Sequence, residues 1–87
     1  MNSEWVVDIS KPAGKELRKC PKRDALHIIY ALREMETDPL AGDIVYLSAH
    51  ESEYRRRVGD WRIFFSLNKT DKIVAIEHIR RRTSNTY

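Results

Sequence analysis

The residues best equipped for chemistry lie in the last third of the chain. Arg55, Arg56, Arg57 and Arg62 form one cluster, Arg80, Arg81 and Arg82 form a second, and the sequence ends on Tyr87. A guanidinium donates two parallel hydrogen bonds from a planar fork that matches the oxygens of a phosphate, and it stays charged throughout. Arginines confined to neighbouring segments point to a polyanion, most simply a nucleic acid. Such a site could also cleave RNA without a metal. A base would remove the 2′-hydroxyl proton, cations would hold the charge of a pentavalent phosphorane, and a third group would protonate the leaving oxygen. Arginine suits the second task. Tyr87 suits the first only where nearby cations lower a phenol pKa that is ordinarily about 10; otherwise it is a frayed terminal residue. His78 precedes Arg80 by two positions on the same strand face. It is an accessory acid or base on the sharper reading and a structural histidine on the plainer one.

Charge is unevenly spread along the 87 residues. Residues 1–53 hold 7 Lys/Arg against 10 Asp/Glu, a balance of −3, while residues 54–87 hold 9 against 3, a balance of +6. Other chemistries find no support. His27, His50 and His78 have no ligand spacing, the 3 glycines are isolated, and the 1 cysteine, Cys20, reads as a half-buried residue at a helix end. No metal site, cofactor loop or disulfide follows from such a set. No apolar run approaches the roughly 20 residues of a membrane span, and the first residues lack a signal-peptide pattern. The expected compartment is the cytoplasm, with no membrane partner.

The elements that must position these side chains are mostly strands. Tyr54 to Leu67 reads as a hairpin joined at Val58-Gly59-Asp60, where Gly59 can take a positive φ. Alternation puts Trp61, Ile63, Phe65 and Leu67 on one face and Arg62, Phe64 and Ser66 on the other. Arg55 and Arg57 share a face, with Tyr54, Arg56 and Val58 opposite. In register, Arg62 joins Arg55 and Arg57 on a concave face open to solvent. Upstream, Glu4 to Ile9 reads as a strand, and Ser10 caps a short helix with Pro12 in its first turn. Ala13, Leu17 and Cys20 line one side of that helix before Pro21 breaks it. Lys22 to Glu36 forms a longer amphipathic helix with Ala25, Ile28, Ile29, Leu32 and Met35 as its buried stripe. A strand over Asp43 to Leu47, the hairpin, a turn at Asn68 to Asp71 and a last strand over Lys72 to Arg80 complete the chain. Apolar residues on both faces of the last strand's first half place it inside the sheet. The expected fold is α+β in a single domain over 1–87. It is written β-α-α-β-β-β, a mostly antiparallel sheet with two N-terminal helices packed on one face.

The run Tyr-Arg-Arg-Arg-Val-Gly-Asp-Trp-Arg-Ile-Phe-Phe resembles the central hairpin of the RelE/ParE superfamily of bacterial toxins. The upstream Asp-Pro-Leu-Ala-Gly-Asp and the final Ile-Arg-Arg-Arg-Thr-Ser-Asn-Thr-Tyr fit the same pattern. Single motifs are short, but their order and spacing cover nearly the whole chain and favour the RelE-like branch. The resemblance implies the toxin of a type II toxin–antitoxin pair, acting as a ribosome-dependent, metal-independent endoribonuclease. Such a protein cuts messenger RNA in the A site and inhibits translation. It implies a cognate antitoxin, the ribosome and messenger RNA as partners, and DNA only indirectly through the antitoxin complex. Carried over by position, Arg55 and Arg57 match the basic pair that holds the scissile phosphate; Arg80 and Arg82, brought close by the end of the last strand, are read as further substrate-binding residues from that position alone. Arg62 matches the arginine that stabilises its charge, Arg81 the suggested acid, and Tyr87 the suggested base. Arg56 departs from the pattern, standing where the family has an apolar, core-facing residue, so either the register or the burial of that edge differs. The alternative is a ParE-like inhibitor of DNA gyrase acting by binding, whose tail would lack the arginine–tyrosine pair. A third reading is a member retaining antitoxin binding alone.

Overall fold

The structure is a computed structural model and describes residues 4–48 and 50–82. The chain begins with β1 (Val6–Ile9) and turns at Ser10 into α1 (Lys11–Arg18). Ser10 is the N-cap: its Oγ accepts the Ala13 N–H at 3.1 Å, and Pro12 sits in the first turn, where a missing N–H costs nothing. Pro21 ends that segment and opens α2 (Lys22–Glu34), its carbonyl accepting the Ala25 N–H. Then come β2 (Asp43–Tyr46), β3 (Tyr54–Val58), β4 (Trp61–Asn68) and β5 (Ile73–Arg81). The strands lie in the order β1-β5-β4-β3-β2, with β1 parallel to β5 and every other pair antiparallel. The α+β class and its layering are as expected. The sheet has five strands, one more than the string β-α-α-β-β-β writes, because the hairpin supplies two beyond β1, β2 and β5. β5 runs between β1 and β4, which accounts for its apolar first half.

The core is Ala13 from α1, Ile28, Ala31, Leu32 and Met35 from α2 and its C-cap, and Ile63, Phe65, Val74, Ile76 and Ile79 from the sheet. Each large side chain taken fully out of water here is worth roughly 1.5–3 kcal/mol. The stripe of α2 differs from the expected one. Ala31 is buried, whereas Ile29 is exposed with Leu26 and Tyr30, and the helix stops at Glu34 with Met35 as its cap. Ala31 faces the sheet because it lies at the i+3 position from Ile28 on the stripe that Leu32 and Met35 continue, and Arg56 arrives beside it from β3.

Arg56 pairs with Ile44 on one side and Ile63 on the other, so the strand register is unshifted and the arginine points into the core. Its guanidinium donates to the Ala31 carbonyl at 3.4 Å and pairs with the Glu34 carboxylate. The side chain is 10% exposed while that of Glu34 is 61% exposed. The stem is therefore packed and the charged head emerges beside a carboxylate that remains hydrated. Gly42 closes over the same group: at φ +91°, a Cβ there would stand 2.9 Å from Arg56 Cζ and Nε.

β1 ends at Ile9, which leaves the second half of β5 with an open edge. Side chains of the α1 segment close it. Ser10 Oγ donates to the Glu77 carbonyl at 2.9 Å, and Glu16 Oε1 accepts the Ile79 N–H at 2.8 Å. Backbone groups that a sixth strand would have satisfied are thus met from a helix. Between Phe64 and Phe65 the β4–β5 register shifts, with Phe64 opposite His78 and Phe65 opposite Ile76, so Glu77 is the extra, bulged residue.

Two stability measurements follow. Arg56→Met should unfold in urea within about 1.5 kcal/mol of the wild type, since an unbranched apolar chain can fill the same slot. Glu34→Ala, which leaves the guanidinium on a single carbonyl, should cost about 1–3 kcal/mol. Equal losses would contradict the packing described. Gly42→Ala should cost about 1–3 kcal/mol from its left-handed backbone, and should stay costly when combined with Arg56→Met.

A candidate nucleic-acid interface

Cross-strand register assembles the basic residues. Asp43, Arg57, Arg62 and Arg80 stand directly opposite one another across β2, β3, β4 and β5, and Val45, Arg55, Phe64 and His78 form the next row. Their alternates Arg56, Ile63 and Ile79 are buried against the helices, so both rows lie on the open face. Directly opposed residues bring their Cβ atoms to about 4.5–5.5 Å. Arg55, Arg57, Arg62, Arg80 and His78 are thereby brought together, with Phe64 in their midst.

Carboxylates stand at the two ends of the arginine row. Asp43 lies 3.8 Å from Arg57 Nε, and Glu16 lies 3.8 Å from Arg80 Nε. Arg62, in the centre, pairs with no carboxylate among the described residues, and the Nε atoms of Arg55 and Arg62 are buried without a hydrogen-bond partner. Two unit charges about 5 Å apart repel by roughly 1 kcal/mol in water and about 3 kcal/mol at the effective dielectric of a protein surface. A multivalent anion seated on the row relieves that repulsion. Arg80 Cζ also lies 5.9 Å from the centre of the Phe64 ring, which holds it over the face.

Two residues that the sequence did not single out border the rows. Glu16 reaches round the β5 edge from α1, and its carboxylate stands 3.4 Å from His78 Nδ1 as well as beside Arg80. His50, read from sequence only as a histidine without ligand spacing, stacks on Phe64 with centroids 5.6 Å apart and planes 9° from parallel. Its Nδ1 accepts the Ser52 N–H at 3.3 Å. Ser52 Oγ and Ser66 Oγ both donate to the Glu77 carboxylate, tying this loop to the bulge. Neither residue carries a spacing signal, because each arrives through tertiary packing.

The last cluster divides. Arg81 pairs with Trp61, on the helix side of the sheet, and its Cζ lies 5.9 Å from the Trp61 ring, whose Nε1 donates to Asp24 of α2 at 3.0 Å. It therefore faces away from Arg62 and Arg80. Arg82 leaves the strand, its N–H donating to the Asp60 carbonyl at the hairpin turn. Tyr87 lies outside the described residues. Among the described residues no group of three His, Cys, Asp or Glu could hold a metal ion, and no helix is long and apolar enough to cross a membrane. Cys20 donates its Sγ–H to the Glu16 carbonyl at 3.3 Å. Burial first, then the negative charges of Asp24 and Glu16, push its pKa up, so it remains a protonated thiol and a poor nucleophile.

The comparisons with known proteins agree with this architecture. A family model described as the ParE toxin of the type II toxin–antitoxin system, parDE, matches residues 7–85. Among solved structures, a chain of the archaeal RelE–RelB complex from Pyrococcus horikoshii OT3 is 26% identical, with a TM-score of 0.82 over 94% of this chain and 99% of that one. The RelBE2 toxin–antitoxin complex from Mycobacterium tuberculosis gives 20% identity and a TM-score of 0.78, covering 91% and 99%. The isolated RelE toxin of E. coli gives 16% and 0.79, covering 93% and 87%. No curated protein matches in sequence. The chain belongs to the ParE toxin family of type II toxin–antitoxin systems, and within the RelE/ParE superfamily its fold is that of the RelE-like branch.

Proposed function

We propose that this toxin is a ribosome-dependent endoribonuclease that cuts messenger RNA in the A site and so stops translation. The observation that carries this reading is the row Arg57–Arg62–Arg80 on the open face, whose central guanidinium pairs with no carboxylate among the described residues. A phosphodiester seated on the row would place its non-bridging oxygens against Arg62, with Arg55, Arg57 and Arg80 around it and Arg82 just past the strand end, beside the hairpin turn. Donors gathered there favour the phosphorane, where negative charge is greatest. The resemblance adds Tyr87 as the base that removes the 2′-hydroxyl proton, and no metal is required by this scheme. The ribosome would present the messenger in a bent, single-stranded form that the small site does not have to create.

A cognate antitoxin is the second partner, because related folds have been captured with RelB. An acidic segment folding onto the open face would neutralise the same arginines that hold phosphate. Contact with DNA then comes only through the complex. The second reading, inhibition of gyrase by binding, is favoured by the ParE family match over residues 7–85 and by the position of Arg81 on the helix side, apart from the arginine row.

Programmed ribosomes incubated with the toxin separate the two. Primer extension should show a cut within the A-site codon, slowed by about 10²–10³-fold in Arg62→Ala, the loss expected for one transition-state donor. Tyr87→Phe should slow it by about 10²–10⁴-fold as the loss of a general base. Intact messenger together with inhibited supercoiling by gyrase would establish the second reading instead.

A further inference from the structure

We infer that His78 is the proton donor of this site and that Glu16, on α1, positions it. The inference rests on the ribonuclease reading above and adds the group that protonates the leaving oxygen. A guanidinium does not surrender its proton in a protein, so no arginine of the face can fill that role. Arg81, the acid implied by resemblance, also faces Trp61 on the other side of the sheet.

Two imidazoles lie on the open face among the described residues, and their surroundings differ. His50 accepts the Ser52 N–H at Nδ1 and stacks on Phe64, with no carboxylate paired to it among the described residues. His78 Nδ1 is buried and makes no direct hydrogen bond, and Glu16 Oε1 stands 3.4 Å away. The Nδ1 edge of the ring is the one beside that carboxylate, so the transferable proton is assigned to Nε2. The Ile79 N–H at 2.8 Å fixes the same oxygen, and Arg80 flanks the other. Phe64 lies across the strand from His78, and Arg55 is next in that row, so the imidazole sits one pair along from Arg62 and Arg80.

In the step, the 2′-oxygen gives its proton to the base and bonds to phosphorus. The P–O5′ bond breaks, its electron pair goes to O5′, and O5′ takes the Nε2 proton of His78. The products are a 2′,3′-cyclic phosphate and a 5′-hydroxyl. Neutral His78 keeps its Nδ1 proton towards Glu16 and regains the other from water.

A messenger carrying sulfur in place of the bridging 5′-oxygen at the A-site codon tests this, since a thiolate leaves without an acid. On the oxygen substrate His78→Gln should cut about 10²–10⁴-fold more slowly than wild type. On the sulfur substrate it should regain nearly the wild-type rate. Glu16→Gln keeps an oxygen for the Ile79 N–H, so α1 stays docked, and it should slow only the oxygen substrate. Arg62→Ala should be slow on both. Wild-type speed of His78→Gln on oxygen, or an equal defect on sulfur, overturns the assignment. A wild-type protein that cuts neither substrate overturns the ribonuclease reading, and this assignment with it.

Discussion

Val58 and Trp61 face each other across β3 and β4 with only Gly59 and Asp60 between them, and Gly59 takes a φ of +59°. A two-residue turn of this kind allows one pairing of the strands it joins, and side chains alternate strictly from there. The pairing sends Arg55, Arg57 and Arg62 to the open face and Arg56, Ile63 and Phe65 to the core. A slip of one residue in β3 would reverse its three arginines, driving Arg55 and Arg57 towards the helices. Taking an unpaired guanidinium out of water costs several kcal/mol, more than any single packing contact could return. The hairpin turn and the single carboxylate at Glu34 therefore specify the basic face together.

That constraint explains why three adjacent arginines have unlike environments. Arg56 can sit inside because α2 ends where it arrives. The Ala31 carbonyl and Glu34 carboxylate are close to the helix C-terminus, whose partial negative charge also favours a cation. Arg55 and Arg57 meet nothing comparable, since Asp43 is an exposed partner at 3.8 Å and contributes little in water. The open face is left with donors and no internal anion at its centre. A fold that spends its strongest counter-charge on the buried arginine keeps the others available to a ligand.

The sequence shows periodic features well and tertiary encounters poorly. The hairpin, its turn, the Ser10 cap, the interior place of β5 and the grouping of Arg55, Arg57 and Arg62 all follow from alternation and turn chemistry. The α2 stripe departs from the expected one at Ile29, because the i, i+3, i+4, i+7 spacing from Ile28 buries the small Ala31, which a reading by apolar size passes over. Arg81 looked like a neighbour of Arg80, yet in a strand adjacent residues point to opposite faces. Trp61 shows which face Arg81 took. Glu16 and His50 were illegible for another reason. One reaches β5 from a helix 63 positions away in sequence, and the other is placed by a loop pinned through serines to a bulge.

Glu16 also joins stability to the open face. Its Oε1 satisfies a backbone amide that β1 is too short to reach, while the same carboxylate stands beside His78 and Arg80. Removing it would expose the β5 edge and free two side chains of the basic rows at once. An edge amide N–H donates to any well-placed oxygen, and serine or glutamine could supply one. Only an anion also offsets the charge gathered on that face. The requirement for a carboxylate, rather than for any acceptor, thus comes from the arginines and the histidine. It ties α1, which contributes only Ala13 to the buried core, to the part of the sheet that meets solvent.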